Sequence, residues 1–192
     1  MTSTRRFSWF LLVAGFLAAT SIGLLLHIIV VTGPEFQHLA RMPMLDFRLT
    51  GYEPADVGAM IVALRQSPEA ADLLRTMHLL EDMLLPASYT ALALMVLARY
   101  APGSTVFHKP LTGYRTGIVL AMPLLYAFAD YTENLSSLLI FPPANPSPGT
   151  MTYLADVLPA ATRLKAMFFF VTLILMLRFT LFREKPAEKT ED

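Results

Sequence analysis

Two carboxylic acids and an amide interrupt a long apolar stretch of this sequence. Asp130, Glu133 and Asn134 lie within residues 117–141, which are otherwise apolar and long enough to cross a bilayer as one helix. A spacing of three places Asp130 and Glu133 on one helix face, with Asn134 beside them. Charged groups are costly in hydrocarbon, so such residues need partners and are typical of binding, proton-transfer or metal sites.

Other ionisable residues are predicted to reach the same depth in the membrane. Each of the other apolar stretches carries polar residues at the end that is predicted to lie at the same depth as Asp130 and Glu133. These residues are His27 in the first stretch, His78, Glu81 and Asp82 in the second, and Thr162, Arg163 and Lys165 in the last. The opposite halves of the stretches are nearly all apolar. The sequence thus predicts one polar layer, shared by four helices, near one face of the membrane.

Three interpretations of this layer stay open. In the first, it is an ion-paired scaffold in which Arg163 and Lys165 neutralise Asp130 and Glu133, because buried charges need partners. In the second, it is a pocket that opens to the outer leaflet or the periplasm. The carboxylates there accept hydrogen bonds from a ligand or carry protons.

The third interpretation is a metal site. The pairs His78-x-x-Glu81 and Asp130-x-x-Glu133 each present two ligands at helical spacing, as carboxylate-bridged di-metal bundles do. The histidine comes first in one pair and is missing from the other, and two basic residues share the level. These departures argue against a di-iron centre, so we assign neither a metal ligand nor a cofactor from the sequence.

The composition is that of a membrane domain. Of 192 residues, 55% are hydrophobic and 16% are charged. Fifteen basic and fifteen acidic residues cancel, so the charge gives no argument for binding nucleic acid. The chain has no cysteine, which excludes disulfides and thiolate nucleophiles, and the common hydrolase, zinc-protease and phosphate-loop motifs are absent from the sequence.

Hydropathy predicts an all-α fold in a single domain, a four-helix transmembrane bundle with an amphipathic external helical segment between the first two spans. The predicted spans TM1 to TM4 cover about residues 7–31, 77–99, 116–141 and 157–182, and a cytoplasmic tail follows at 183–192. TM2 carries Pro86, which predicts a kink.

The external segment, residues 32–76, is predicted to be irregular in its front half because of Gly33-Pro34 and Met42-Pro43. A helix is predicted from Glu53 onward, with an apolar stripe formed by Val57, Met60, Ile61 and Leu64. A further helix, capped by Ser67, is predicted to run without a break into TM2.

The basic residues favour one side of the predicted bundle. They precede TM1, separate TM2 from TM3 and follow TM4, and they are Arg5, Arg6, Arg99, Lys109, Arg115, Arg178, Arg183, Lys185 and Lys189. The positive-inside rule makes that side the cytoplasm. We therefore expect a multi-pass protein of the bacterial inner membrane, with both termini cytoplasmic and the external segment in the periplasm.

Several short motifs resemble those of an uncharacterised family of four-helix prokaryotic membrane proteins. They are Met44-Leu45-Asp46 followed by Gly51-Tyr52, Asp82 with Pro86 and Tyr89, Asp130-x-x-Glu133-Asn134 in the third helix, and Thr162-x-x-Lys165. The resemblance implies no particular activity. It directs attention to Asp46, Asp82, Asp130, Glu133, Asn134 and Lys165.

We expect this chain to bind a small ligand or lipid group in the polar layer, near the outer face of the membrane. Its expected partners are membrane lipids. One alternative is an accessory subunit of a larger respiratory or photosynthetic complex, because the chain is small and lacks a catalytic motif. Another is a membrane enzyme that uses Asp130 or Glu133 for acid–base chemistry on a lipid. The last rests on analogy with four- and five-helix sterol isomerases.

Overall fold

The protein is helical along nearly all of the chain that the computed structural model describes, residues 3–48, 51–106 and 109–182. The predicted tail, residues 183–192, lies outside this part. The elements are α1 (Ser3–His27), a π-helix (Ile28–Thr32), α2 (Gly33–Ala40), a 3₁₀-helix (Leu45–Phe47), α3 (Pro54–Gln66), α4 (Pro68–Leu79), α5 (Glu81–Tyr100), β1 (Thr105–Val106), β2 (Lys109–Pro110), α6 (Tyr114–Ile140) and α7 (Pro148–Leu181). The two-residue strands pair antiparallel in the connection between α5 and α6. The predicted all-α class is confirmed.

Three helical stretches in the described part of the chain are long and apolar enough to cross a membrane. They are Trp9–Ala40, Pro68–Tyr100 and Pro148–Leu181. The chain thus has the helices of an integral membrane protein. The 27-residue helix α6 is not among the three, because Asp130, Glu133 and their polar neighbours lower its hydropathy. The fourth crossing therefore stays a prediction, although α6 packs along both α5 and α7.

The first long helix extends further than predicted. Residues 33–40 are helical rather than irregular, since a π-helical turn carries α1 directly into α2. Pro34 directly follows the π-helical turn, and Phe36 is fully buried. The stretch ends at Arg41, which has a left-handed backbone with φ of 59°.

Two further helix boundaries differ from the prediction. The helix that precedes TM2 does not continue without a break, because Leu80 leaves helical geometry (φ −117°, ψ −70°) and separates α4 from α5. The last helix begins at Pro148 rather than near residue 157. The Ser147 side chain caps it by accepting a hydrogen bond of 3.3 Å from the main-chain N–H of Thr150.

The external helix α3 agrees with its prediction. It buries the four predicted apolar residues, and Ser67 caps the following helix by accepting from the main-chain N–H of Ala70. Its stripe belongs to a core shared with the 3₁₀-helix, α4 and the first turns of α7. The segment that was predicted to be external is therefore packed against α4, the end of α6 and the first turns of α7.

Candidate functional site

Lys165 lies between the two carboxylic acids of α6. Its Nζ is 3.4 Å from Oδ1 of Asp130 and also pairs with Oε2 of Glu133. Asp130 is 3% exposed and Glu133 is completely buried. The ion-paired triad therefore joins α6 to α7, with both carboxylates buried. This contact is the one that the first of the three sequence interpretations gave to Lys165.

A threonine and a tyrosine complete the surroundings of Glu133. The Thr162 hydroxyl donates to Oε1 of Glu133, and it accepts from the Tyr52 phenol at 3.0 Å. Tyr52 comes from the external segment and is only 4% exposed. Burial raises the pKa of the Tyr52 phenol well above its usual range, so Tyr52 is a neutral donor at physiological pH.

Arg163 has other partners than the two acids that the sequence suggested. Its guanidinium donates to the main-chain carbonyl of Tyr52 at 3.4 Å and lies 3.8 Å from Oε1 of Glu53. Gly51 has a φ of +103°, and a Cβ at that position would lie 2.6 Å from Nε of Arg163. Arg163 thus holds the external segment against α7, and glycine permits the close approach.

His78, Asp82 and Asp46 form a second cluster. Nδ1 of His78 is 2.8 Å from Oδ2 of Asp82, because a spacing of four places both on one face across the Leu80 break. Asp46, in the 3₁₀-helix, brings a carboxylate oxygen to the same place. One ligand atom from each of the three residues lies within 4.8 Å of the other two.

Asn134 contacts the backbone of α5 next to this cluster. Its Nδ2 donates to the main-chain carbonyl of Asp82 at 2.8 Å. The amide thus links the Asp130–Glu133 face of α6 to the His78–Asp82 face. Its side-chain oxygen, Oδ1, is buried and has no hydrogen-bond partner among the described residues.

His27 and Glu81 form a separate polar contact. Nδ1 of His27 is 3.0 Å from Oε1 of Glu81, and Thr32 in the π-helix donates to Oε2 at 3.2 Å. The His27 side chain is 52% exposed. This pair fastens the π-helical turn to the start of α5, which accounts for both residues without a ligand.

No family model matches this chain, and neither a curated protein nor a solved structure matches it.

Two residues of the site, Asp46 and Tyr52, were not among the candidates that the periodicity of the spans suggested. Both lie in the irregular connection before α3, where no helical spacing predicts the direction of a side chain. The signal that contained them was the pair of short motifs Met44-Leu45-Asp46 and Gly51-Tyr52.

A small crevice opens beside His78, between α4 and the end of α6. Its volume is about 10 Å³, enough for roughly one water molecule. Ala71, Leu74, Arg75, His78, Ser137, Leu138, Phe141 and Pro142 line it. Two of the lining residues each carry a buried polar atom without a hydrogen-bond partner in the described part of the chain, Nε2 of His78 and Oγ of Ser137.

Proposed function

We propose that this chain is an integral membrane protein with four crossings that binds the polar end of a lipid in the crevice beside His78. The proposed membrane is the bacterial plasma membrane, with both termini in the cytoplasm, because the basic residues cluster on that side. The fourth crossing is α6. Its position against α5 and α7, which belong to two of the apolar stretches, supports this assignment.

The observation that carries the proposal is the pair of unsatisfied polar atoms in the crevice. A buried donor or acceptor without a partner costs about 1–3 kcal/mol, so few remain in folded proteins. A ligand hydroxyl would donate to Nε2 of His78 and accept from the Ser137 hydroxyl, whereas a phosphate oxygen would accept from both when Nε2 carries a proton. The crevice has room for one such group, so the rest of the ligand would lie outside it.

The rim of the crevice favours an amphiphile as the ligand. Arg75 is exposed and supplies a cation, while Leu138, Phe141 and Pro142 supply apolar surface. In the proposed topology, α4 and the end of α6 lie at the outer face, where lipid headgroups and acyl chains meet. A cation next to an apolar wall suits an anionic headgroup whose chain continues along the protein.

Binding is favoured over acid–base catalysis by the two intramembrane acids. Asp130 and Glu133 both form ion pairs with Lys165, and Glu133 also accepts a hydrogen bond from Thr162, so both acids are already held by contacts within the protein. A general base must come within hydrogen-bond reach of the substrate proton. Among the residues that line the crevice, the buried polar atoms without a hydrogen-bond partner belong instead to His78 and Ser137.

The test compares lipids retained by purified variants, measured by native mass spectrometry. Leu138→Trp fills the mouth of the crevice, and Ser137→Ala removes a hydroxyl from it. Leu139→Trp is the matched control, since the neighbouring Leu139 is 49% exposed and does not line the crevice. We expect a loss of bound lipid in the first two variants only. Equal lipid content in all three variants and the wild type would refute the proposal.

A further inference from the structure

We infer that Asp46, His78 and Asp82 form a binding site for a divalent transition-metal ion such as Zn²⁺. The inference goes beyond lipid binding and does not depend on it, because the metal ligands and the crevice share only His78. The three ligands come from three elements, the 3₁₀-helix, α4 and α5. An ion there would fasten the external segment to the junction between α4 and α5.

The geometry of the three side chains is close to that of a metal site. Their ligand atoms lie within 4.8 Å of one another, and Nδ1 of His78 is already 2.8 Å from Oδ2 of Asp82. Zinc binds nitrogen and oxygen at about 2.0–2.2 Å, which separates neighbouring ligand atoms by roughly 3–3.5 Å. Closing the cluster therefore needs a shift of at most roughly 1–2 Å, which Asp46 can supply because it lies on a short and partly exposed segment.

The charge around the cluster also favours a cation. Four carboxylates, those of Asp46, Asp82, Asp130 and Glu133, act electrostatically on Lys165. One ammonium group balances one of these four negative charges. Buried charges need partners, and the triad already uses Lys165 for the two acids of α6. Three negative charges remain, and a divalent ion held by Asp46 and Asp82 would balance two of them.

The unsatisfied nitrogen of His78 is a separate observation that points to a ligand. His78 is 1% exposed, and its Nε2 has no partner among the described residues. A histidine that ligates a metal through Nδ1 carries its proton on Nε2 and donates it to an oxygen nearby. Here that proton would point to the crevice, where a water or ligand oxygen would accept it.

The ligand set selects the class of ion. One imidazole nitrogen and two carboxylates suit first-row transition metals, whereas Mg²⁺ and Ca²⁺ prefer oxygen ligands alone. Three protein ligands leave a position open for water, as in zinc sites that are not purely structural. We therefore expect Zn²⁺ to bind more tightly than Mg²⁺.

The experiment titrates the purified full-length protein, treated with a chelator, with Zn²⁺ and with Mg²⁺ by calorimetry. Asp46→Asn, His78→Gln and Asp82→Asn are compared with Glu81→Gln, an adjacent acid that pairs with His27. We expect one Zn²⁺ per chain in the wild type and in Glu81→Gln. In the three ligand variants we expect the Kd for Zn²⁺ to be at least about tenfold higher, because the loss of a residue that only supports a metal ligand already weakens binding by that factor. Zn²⁺ should also raise the Tm of the wild type but not that of Asp46→Asn.

Asp46→Asn decides the outcome, because Asp46 is partly exposed and its replacement leaves the buried His78–Asp82 pair intact. Zinc binding that is unchanged in Asp46→Asn, or no stoichiometric binding by the wild type, would overturn the inference. Leu138→Trp separates the two proposals. It should lose lipid and keep zinc, whereas Asp46→Asn should lose zinc whether or not lipid binds.

Discussion

Asn134 donates its hydrogen bond to the one carbonyl of α5 that a proline four residues later leaves without a helical partner. The acceptor is the main chain of Asp82, at 2.8 Å, and the proline is Pro86, which has no N–H to donate. The Tyr131 hydroxyl donates a hydrogen bond of 3.0 Å to the next main-chain carbonyl, that of Met83. Helix α6 therefore supplies, through Asn134, the donor that the proline removes, and Asn134 has a backbone role.

This relationship predicts a coupling between Asn134 and Pro86. Asn134→Leu should lower the free energy of unfolding by about 1–3 kcal/mol, because a buried carbonyl loses its donor. In a Pro86→Ala background the loss should be smaller, since the alanine N–H can bond the Asp82 carbonyl. Unfolding in detergent measures both. Asn145→Leu, an exposed amide in the loop before α7, is the control and should change little. Equal losses in the two backgrounds would contradict the assigned role.

The triad of Lys165 with Asp130 and Glu133 predicts a second coupling. Lys165→Met should destabilise the protein by about 3–5 kcal/mol, because it leaves two buried carboxylates without a cation. Adding Asp130→Asn should recover part of that loss, and the double-mutant cycle measures how much. The comparison variant is Arg163→Met. Its ion pair with Glu53 is exposed, so we expect a cost below about 1 kcal/mol. Strictly additive effects of the first two changes would refute the pairing.

Much of the fold follows from periodicity. The apolar stripe of α3 was predicted residue by residue, because a helix on a bundle must bury one face. The shared level of Asp130, Glu133 and Lys165 followed from helix length and chain direction alone. Both predictions depend on repeating geometry, which the sequence displays directly.

The remaining features depend on contacts that the sequence does not display. A proline such as Pro34 often marks the end of a helix. Only the structure shows that a π-helical turn before Pro34 lets the helix continue past it. Arg163 and Lys165 are both basic and two positions apart, so they point in different directions, and only the folded external segment shows that Arg163 meets Glu53. Tyr52 reaches Thr162 because that segment folds back over the bundle.

The first turn of α3 predicts a pH dependence outside the membrane spans. The main-chain N–H of Glu53 and the Arg48 guanidinium, 2.8 Å away, hold the pKa of Asp56 below its usual range. A carboxyl whose pKa is lower in the folded state stabilises that state above the unfolded pKa, about 3.9, and loses this effect as the pH falls through the folded value. Hydrogen-exchange protection at the start of α3 should therefore be lower in Asp56→Asn than in the wild type at pH 7.

That difference should shrink as the pH is lowered past about 4 and vanish below the folded pKa of Asp56. Asp72→Asn, in α4, serves as the control and should leave the protection of α3 unchanged at both pH values. If the protection of α3 still differed between Asp56→Asn and the wild type at low pH, the amide would disturb the helix start for a reason other than the loss of the charge. That result would contradict the prediction.

The four-crossing topology predicts opposite accessibility for two single cysteines, which are informative because the chain has none of its own. Glu69→Cys, in the first turn of α4, should react with a membrane-impermeant maleimide in intact spheroplasts. Thr112→Cys, between β2 and α6, should react only after permeabilisation, since α5 lies between the two sites and crosses the membrane once. Both side chains are exposed, so slow labelling does not arise from burial. Labelling of both sites from the same side would refute the topology and, with it, the placement of the crevice at the outer face.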